Sequence, residues 1–119
     1  MRIVVDIDGT ICTFKKENES YRDVIPLPGA IEALVELQQQ GHQIILFTAR
    51  NMKTCEGNLG KVLKNVGQIT LEWLEKYQVP YDELYFGKPY GDIYIDDKAM
   101  SFRLWEETMN KLKEYKVTT

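Results

Sequence analysis

The sequence has few of the residues that build metal clusters and disulfide frameworks. Its 119 residues include two cysteines and one histidine. Cys12, Cys55 and His42 do not stand at the spacings that are typical of zinc ligands. Two cysteines also do not make a disulfide framework. We therefore expect neither a zinc site nor a disulfide-stabilised fold.

Long apolar runs and a strong charge of either sign are also absent. No apolar run approaches the ~20 residues that a membrane-spanning helix needs. Met1 and Arg2 lead directly into a predicted strand, without the layout of a signal peptide. The net charge of −3 gives no general attraction to nucleic acid or to anionic membranes. These features predict a cytoplasmic protein without a nucleic-acid or membrane partner.

The residues that are present predict one α/β domain over 1–119, since the length suits one core and not two. Four short β-rich runs alternate with helical patterns, which is typical of a parallel sheet. The runs are Arg2–Asp6, Gln43–Phe47, Leu84–Phe86 and Ile93–Ile95. Helices are predicted from Pro28 to Gly41, from about Thr70 to Tyr77 and from about Ser101 to Tyr115. Residues 51–67 are predicted to be a loop with a short helix, and residues 11–27 a small flap.

Polar residues follow each of the four runs. Asp6, Asp8, Gly9 and Thr10 come after the first, Thr48 after the second, Gly87 and Lys88 after the third, and Asp96 and Asp97 after the fourth. Because ligands of parallel sheets bind at the carboxyl ends of the strands, we expect these residues to converge at one edge.

Such a set suits phosphoryl transfer. Asp6 and Asp8 are two residues apart and point to the same side. With Mg²⁺ bound to Asp6, that carboxylate can attack phosphorus while Asp8 exchanges protons with the leaving alcohol and with water. Thr48 and Lys88 can bind phosphoryl oxygens, and Asp96 and Asp97 are hard oxygen ligands for Mg²⁺. Taken singly, each residue is more typical of a turn, a helix cap or a solvated surface; the joint arrangement favours function.

The motifs resemble those of the haloacid dehalogenase (HAD) superfamily of phosphatases: Asp6-Ile7-Asp8-Gly9-Thr10, Thr48, Lys88-Pro89 and Asp96-Asp97. The resemblance implies a three-layer Rossmann-like fold, with Asp6 as nucleophile and Asp8 as acid/base. It also implies Mg²⁺ bound by the Asp6 side chain, the Asp8 backbone carbonyl and Asp96, with Asp97 in support. An Asp at position 8 is, in that superfamily, mostly found in phosphatases.

More narrowly, Phe47–Met52, Glu56–Lys61 and Gly87–Pro89 resemble a small group of HAD phosphatases linked to bacterial capsule or polysaccharide biosynthesis. Neither gap between the early motifs can hold a cap domain, so an open site is expected, covered by the flap or by another subunit of a homo-oligomer. The expected substrate is a small-molecule or glycan-linked phosphomonoester. Its candidate contacts are Gly9, Thr10, Ala49, Arg50, Asn51 and Lys61.

Two other functions are compatible with parts of this pattern. A response-regulator receiver domain has similar residues, but its acidic pair follows the first strand and its phosphorylated Asp lies on a middle strand, ahead of Thr and Lys. Here the late acidic pair follows Lys88. A phosphate-binding domain without turnover is the second alternative, and the presence of both Asp6 and Asp8 argues against it.

Overall fold

A computed structural model of the chain describes residues 1–115. Three strands, β1 (Arg2–Asp6), β2 (Gln43–Thr48) and β3 (Glu83–Phe86), form a parallel sheet in the order β1-β2-β3. The helices are α1 (Ala30–Gln39), α2 (Leu59–Val62), α3 (Gln68–Lys76) and α4 (Trp105–Glu114), with a π-helical segment at Leu63–Gly67 between α2 and α3. The predicted α/β fold with a small parallel sheet is confirmed. Residues 116–119 of the predicted domain lie outside the described residues.

The register of the sheet brings the ends of the strands together. Asp6 pairs with Phe47, and Thr48 pairs with Phe86. The residues that follow these positions therefore share the carboxyl edge of the sheet. The first three of the four predicted strands are present, and the polar residues after each of them lie at this edge.

The core lies between the sheet and the helices. Ile44 and Leu46 of β2 are fully buried, as is Leu34 of α1. Leu74 of α3 is 1% exposed. Consecutive residues of β2 from Ile44 to Leu46 are buried, which is the pattern of a parallel strand covered on both faces. Trp105 at the start of α4 is buried in the same core. The inward faces predicted for the three helices are confirmed at these positions.

The helical region after β2 is longer than predicted. Three glycines between residues 51 and 67 indicated a loop, yet helical structure begins at Leu59 and continues through the π-helical segment into α3. Asn58 caps the start, since its side-chain oxygen accepts a hydrogen bond from the Lys61 N–H. Burial of Val62 and Val66 against Cys55 offsets the low helix propensity of the glycines.

The prediction of a fourth strand at Ile93–Ile95 is wrong. The segment Ile93–Ile95 has no regular structure, and Ile93 and Ile95 are 77% and 93% exposed. A β-rich run becomes a strand only beside a hydrogen-bonded neighbour, and within residues 1–115 this run has none. The chain folds on itself instead, with the Tyr94 hydroxyl donating to the Pro89 carbonyl.

The predicted flap is a closed loop that is tied to the domain at its base. Cys12 forms an antiparallel bridge with Pro26, and the Thr13 N–H donates to the Ile25 carbonyl at 2.9 Å. Farther along, the indole N–H of Trp73 donates to the Val24 carbonyl at 2.8 Å. These contacts attach both ends of the flap to the domain.

Within the described part of the chain, no helix combines the length and the apolar character required to cross a membrane.

Trp105 links α4 to the loop after β1, and its substitution tests that link. Its indole N–H donates to the Thr10 carbonyl at 2.7 Å. We expect Trp105→Phe, which keeps an aromatic ring but loses the donor, to lower the free energy of unfolding by about 1–3 kcal/mol. Urea unfolding of the two proteins measures this difference. Tyr115→Phe, at the exposed end of α4, is the control and should leave the midpoint nearly unchanged.

Candidate active site

A cavity of about 490 Å³ opens at the carboxyl edge of the sheet. Its lining comes from four parts of the chain: the end of β1, the flap, the loop after β2 and the loop after β3. The lining residues are Asp6, Asp8, Phe14, Lys15, Tyr21, Ala49, Arg50, Asn51, Lys53, Thr54, Lys88, Tyr90, Gly91 and Tyr94. Five of the polar residues singled out in the sequence therefore line one cavity: Asp6, Asp8, Arg50, Asn51 and Lys88.

Asp6 and Lys88 form the first pair in this cavity. The Lys88 Nζ lies 3.5 Å from the Asp6 Oδ2, and the Ile7 N–H donates to the Asp6 Oδ1 at 3.0 Å. The Asp6 side chain is 36% exposed toward the cavity. A carboxylate oxygen is thus oriented by a backbone donor, adjacent to a cation and accessible to a ligand.

Burial raises the pKa of the Asp6 carboxyl above its ordinary value of 3.8, although the nearby Lys88 ammonium and the Ile7 N–H oppose this shift. The Asp8 carboxylate adds a smaller contribution that also raises the pKa of Asp6. Folding therefore disfavours the ionised form of Asp6, and a cationic partner in the cavity would favour it.

Asp8 is held by Arg50. The Arg50 Nε lies 3.0 Å from Oδ2 and 3.2 Å from Oδ1, and Nη2 lies 3.0 Å from Oδ1. The Arg50 side chain is 1% exposed. This bidentate contact fixes both the position and the plane of the carboxylate.

Arg50 is in turn held by three further groups. Its Nη1 donates to the Thr70 hydroxyl on α3 at 3.0 Å, and its guanidinium carbon lies 4.2 Å from the centre of the Tyr21 ring on the flap. Its Nη2 also lies 3.8 Å from the Cys12 Sγ. The sequence did not single out these three neighbours as site residues, because nothing in their local pattern indicates a partner far along the chain.

Arg50 therefore differs from the expected substrate contact on a surface loop. It lines the cavity, but its side chain is buried and directed at Asp8. An arginine that follows a strand end is exposed unless a carboxylate and a hydroxyl are brought to it, and only the tertiary fold does so. The structure assigns Arg50 to the positioning of Asp8.

Thr48 is fully buried at the end of β2 and joins the same network. Its hydroxyl donates to the Asp8 Oδ2 at 3.4 Å and accepts a hydrogen bond from the Arg50 N–H at 3.1 Å. Its carbonyl accepts a hydrogen bond from the Lys88 N–H at 3.1 Å. Thr48 thus links the loop that carries Lys88 to the Asp8 carboxylate.

Gly9 lies in a sharp turn, with a φ of 80°. The structure does not support Gly9 as a substrate contact, because its N–H donates to the Cys12 carbonyl at 2.8 Å. The Thr10 N–H likewise donates to the Ile7 carbonyl. Neither residue lines the cavity, since the Phe14 ring covers Gly9 and Trp105 binds the Thr10 carbonyl.

Among the other predicted contacts, Ala49 and Asn51 line the cavity. The Asn51 side-chain oxygen accepts a hydrogen bond from Asn65 at 3.2 Å. Lys61 is exposed at the start of α2 and does not line the cavity. The structure therefore does not bring Lys61 to the site.

Asp96 and Asp97 are also not brought to the cavity. Both are exposed, and the Asp96 Oδ1 accepts a hydrogen bond from the Lys98 N–H at 2.8 Å, which is the main cause of a lowered pKa at Asp96. Among residues 1–115, no three acidic, histidine or cysteine side chains stand close enough to hold a metal ion. The cavity supplies Asp6 and an Asp8 already paired with Arg50, and these two do not by themselves fit the oxygen-rich shell of Mg²⁺.

The chain matches one known protein family over nearly its whole length. A family model described as haloacid dehalogenase-like hydrolase matches residues 3–119, nearly the whole chain. The chain belongs to the haloacid dehalogenase-like hydrolases. A search of curated proteins found no match.

Solved structures agree with this assignment. A crystal structure from Vibrio cholerae is 41% identical, with 96% of this chain and 98% of that chain covered and a TM-score of 0.77. D,D-heptose 1,7-bisphosphate phosphatase from B. bronchiseptica, complexed with magnesium and phosphate, is 19% identical at a TM-score of 0.50, covering 96% of this chain and 64% of that one. A chain of the Pnkp1/Rnl/Hen1 complex is 24% identical at a TM-score of 0.51, covering 81% and 30%. The last two show a shared fold.

In this haloacid dehalogenase-like hydrolase, Arg50→Lys tests whether Arg50 acts through Asp8. Lysine keeps the charge but loses the bidentate contact. We expect kcat on a phosphomonoester to fall at least tenfold with KM changed less than about threefold, within the ~10²–10⁴-fold that proton transfer contributes.

The matched control for Arg50→Lys is Lys64→Ala, an exposed change outside the cavity. It should leave kcat and KM unaltered. A raised KM with unchanged kcat in Arg50→Lys would indicate that Arg50 contacts the substrate and does not act by positioning Asp8.

The raised pKa of Asp6 predicts a pH-dependent stability difference. A carboxyl whose pKa is raised by folding stabilises the protein below its unfolded pKa, and this contribution is lost as pH rises through the folded value. In metal-free buffer, Asp6→Asn should therefore become more stable relative to the unchanged protein as the pH rises from about 4 to 7.

Urea unfolding at several pH values measures this difference. Val35→Ala, which changes a partly exposed side chain on α1 without removing a titratable group, is the control and should give a difference that does not vary with pH. A flat difference for Asp6→Asn as well would contradict the burial of the Asp6 carboxyl.

Proposed function

We propose that the chain hydrolyses phosphomonoesters through an aspartyl-phosphate at Asp6. The observation that supports this most is the pairing of two differently held carboxylates in one cavity. Asp6 faces the cavity beside Lys88 at 3.5 Å, whereas Asp8 is clamped by Arg50 at 3.0 Å. One carboxylate is accessible for attack, and the other is fixed for proton exchange.

In the first step an Asp6 oxygen attacks phosphorus, and the bond from phosphorus to the leaving oxygen breaks. Protonated Asp8 gives its proton to that oxygen, which departs as the alcohol. In the second step water attacks the phosphorus of the aspartyl-phosphate, the Asp6–phosphorus bond breaks, and the Asp8 carboxylate takes the proton of the water. Phosphate leaves, and both carboxyl groups regain their starting states.

Lys88 supplies the positive charge for the phosphoryl group. Its Nζ is adjacent to the attacking carboxylate and 4.2 Å from the centre of the Tyr94 ring, so its position is defined on two sides. A cation beside the transferred group favours the transition state, in which charge spreads over the phosphoryl oxygens.

Magnesium is the cofactor that we propose for this reaction. The structural relative from B. bronchiseptica is complexed with magnesium and phosphate. In the present chain Asp6 and the Asp8 carbonyl are the proposed donors at the cavity, and Asp96 with Asp97 would have to move to the cavity to complete the site. When bound, the ion would neutralise charge on Asp6 and on the phosphoryl group.

A sugar phosphate of capsule or polysaccharide biosynthesis is the substrate that we propose, small or linked to a glycan, as the resemblance of residues 47–52, 56–61 and 87–89 implies. One related fold acts on a heptose bisphosphate. The open cavity, bounded by the flap, leaves room for a large leaving group, and a second subunit of a homo-oligomer could extend its walls.

The test combines metal removal with two substitutions. We expect turnover of an alkyl phosphate to require added Mg²⁺ and to be lost after chelation. Asp6→Asn should abolish turnover of alkyl and aryl phosphates alike, because the nucleophile is removed. Asp8→Asn should lose ~10²–10⁴-fold on the alkyl phosphate and much less on p-nitrophenyl phosphate, whose leaving group needs no proton.

Steady-state assays with dialysed enzyme and a metal titration provide these values. Lys64→Ala serves again as the unaffected variant. Undiminished turnover by Asp6→Asn would overturn the proposed nucleophile, and full activity after exhaustive chelation would overturn the proposed cofactor.

A further inference from the structure

The mouth of the cavity contains groups that the proposed hydrolysis does not use. Phe14 and Lys15 come from the flap, Lys53 from the loop after β2, and Tyr90 from the loop after β3. They line the same cavity as Asp6 but take no part in the network around Asp8. In the proposed reaction, the leaving group of a phosphate at Asp6 would extend toward these residues.

The cations at the mouth differ from those inside in their partners. Arg50 pairs with Asp8, and Lys88 pairs with Asp6. Among residues 1–115, Lys15 and Lys53 form no ion pair with a carboxylate. The Lys15 ammonium donates to the carbonyls of Lys16 and Glu19 at 3.2 and 3.3 Å, which leaves one of its three N–H groups for a ligand. The mouth thus carries two positive charges that the protein itself does not neutralise.

Aromatic surface accompanies these charges. Phe14 is 71% exposed, yet its ring is packed directly over Gly9, where an added Cβ would lie 2.2 Å from the ring. The neighbouring Thr13 is tied to Ile25 by backbone hydrogen bonding, so this ring does not lie on a free loop. On the other side, the Lys53 Nζ lies 5.2 Å from the centre of the exposed Tyr90 ring. An exposed ring of this kind binds the apolar face of a sugar or a base.

We propose that the leaving group of the substrate carries a ring and a second anionic group, which Phe14 and the lysines Lys15 and Lys53 recognise. This inference rests on the proposed hydrolase function, because it assigns the reacting phosphate to Asp6. A second phosphate would bind the two ammonium groups, while the ring would cover Phe14. The shared chemistry belongs to sugar bisphosphates and to nucleoside bisphosphates.

Matched substrate pairs test this proposal. Glucose 1,6-bisphosphate is compared with glucose 6-phosphate, and adenosine 3′,5′-bisphosphate with adenosine 5′-monophosphate. We expect kcat/KM to be about three- to tenfold higher for the bisphosphate of at least one pair, as two exposed ion pairs allow. The pair with the larger ratio distinguishes a sugar ring from a base. Equal values in both pairs would overturn the proposal.

Substitutions of Lys15 and Lys53 test whether these lysines cause the preference for the bisphosphate. In the double variant Lys15→Gln, Lys53→Gln, the ratio of kcat/KM for the bisphosphate to that for the monophosphate should fall to about one. Lys64→Gln removes an exposed lysine outside the cavity and should keep the ratio. Phe14→Ala should weaken both members of a pair equally, since the ring contact is common to them. A double variant that retains the ratio would contradict the role of these lysines.

A binding measurement separates this inference from the proposed reaction. Titration calorimetry with Asp6→Asn compares the affinities of glucose 1,6-bisphosphate and glucose 6-phosphate without turnover. Tighter binding of the bisphosphate supports the inference even where every phosphomonoester proves inert. Inert phosphomonoesters would overturn the hydrolase function alone. Turnover of p-nitrophenyl phosphate together with equal affinities would leave the hydrolase function standing and refute the inference.

Discussion

The buried pair between Arg50 and Asp8 is the interaction on which the rest of the site depends. It joins the loop after β1 to the loop after β2, and through Thr70 it reaches α3. An arginine remains charged at any physiological pH, so a guanidinium that is 1% exposed requires a carboxylate beside it. Asp8 neutralises this charge, so the pair contributes to the stability of the fold as well as to the position of the Asp8 carboxylate.

The same pair explains the contrast between the two carboxylates of the first motif. Asp8 has its oxygens occupied by Arg50 and Thr48, whereas Asp6 has one backbone donor and a lysine at 3.5 Å. Folding favours the protonated form of Asp6, since burial raises its pKa. A group that is held incompletely in the free protein is available to a substrate, and a group that is held completely keeps its geometry while protons move. Two residues of identical chemistry are thereby held in different surroundings.

Much of the fold could be predicted from local sequence. β1 was predicted with its observed bounds, and β2 and β3 were found from the apolar runs that end at Phe47 and Phe86, although β2 extends to Thr48. Only a short helix was predicted within residues 51–67, and the helical region from Leu59 is longer, because Val62 and Val66 packed beneath it offset the low helix propensity of its glycines. The prediction of a strand at Ile93–Ile95 was wrong for a related reason: a β-rich run shows that a segment can pair, and pairing requires a neighbouring strand edge.

By itself the sequence determined which residues stand at the carboxyl edge. A strand end fixes the edge on which the following residue lies, and at this edge Asp6, Asp8 and Lys88 line one cavity while Thr48 is buried beside Asp8. The tertiary structure decided which neighbour each of them meets. The Arg50 side chain pairs with Asp8, and the Gly9 N–H donates to the Cys12 carbonyl. Asp96 lies exposed at the surface. Side-chain partners depend on contacts between segments that are remote in the chain, and no local pattern of residues contains that information.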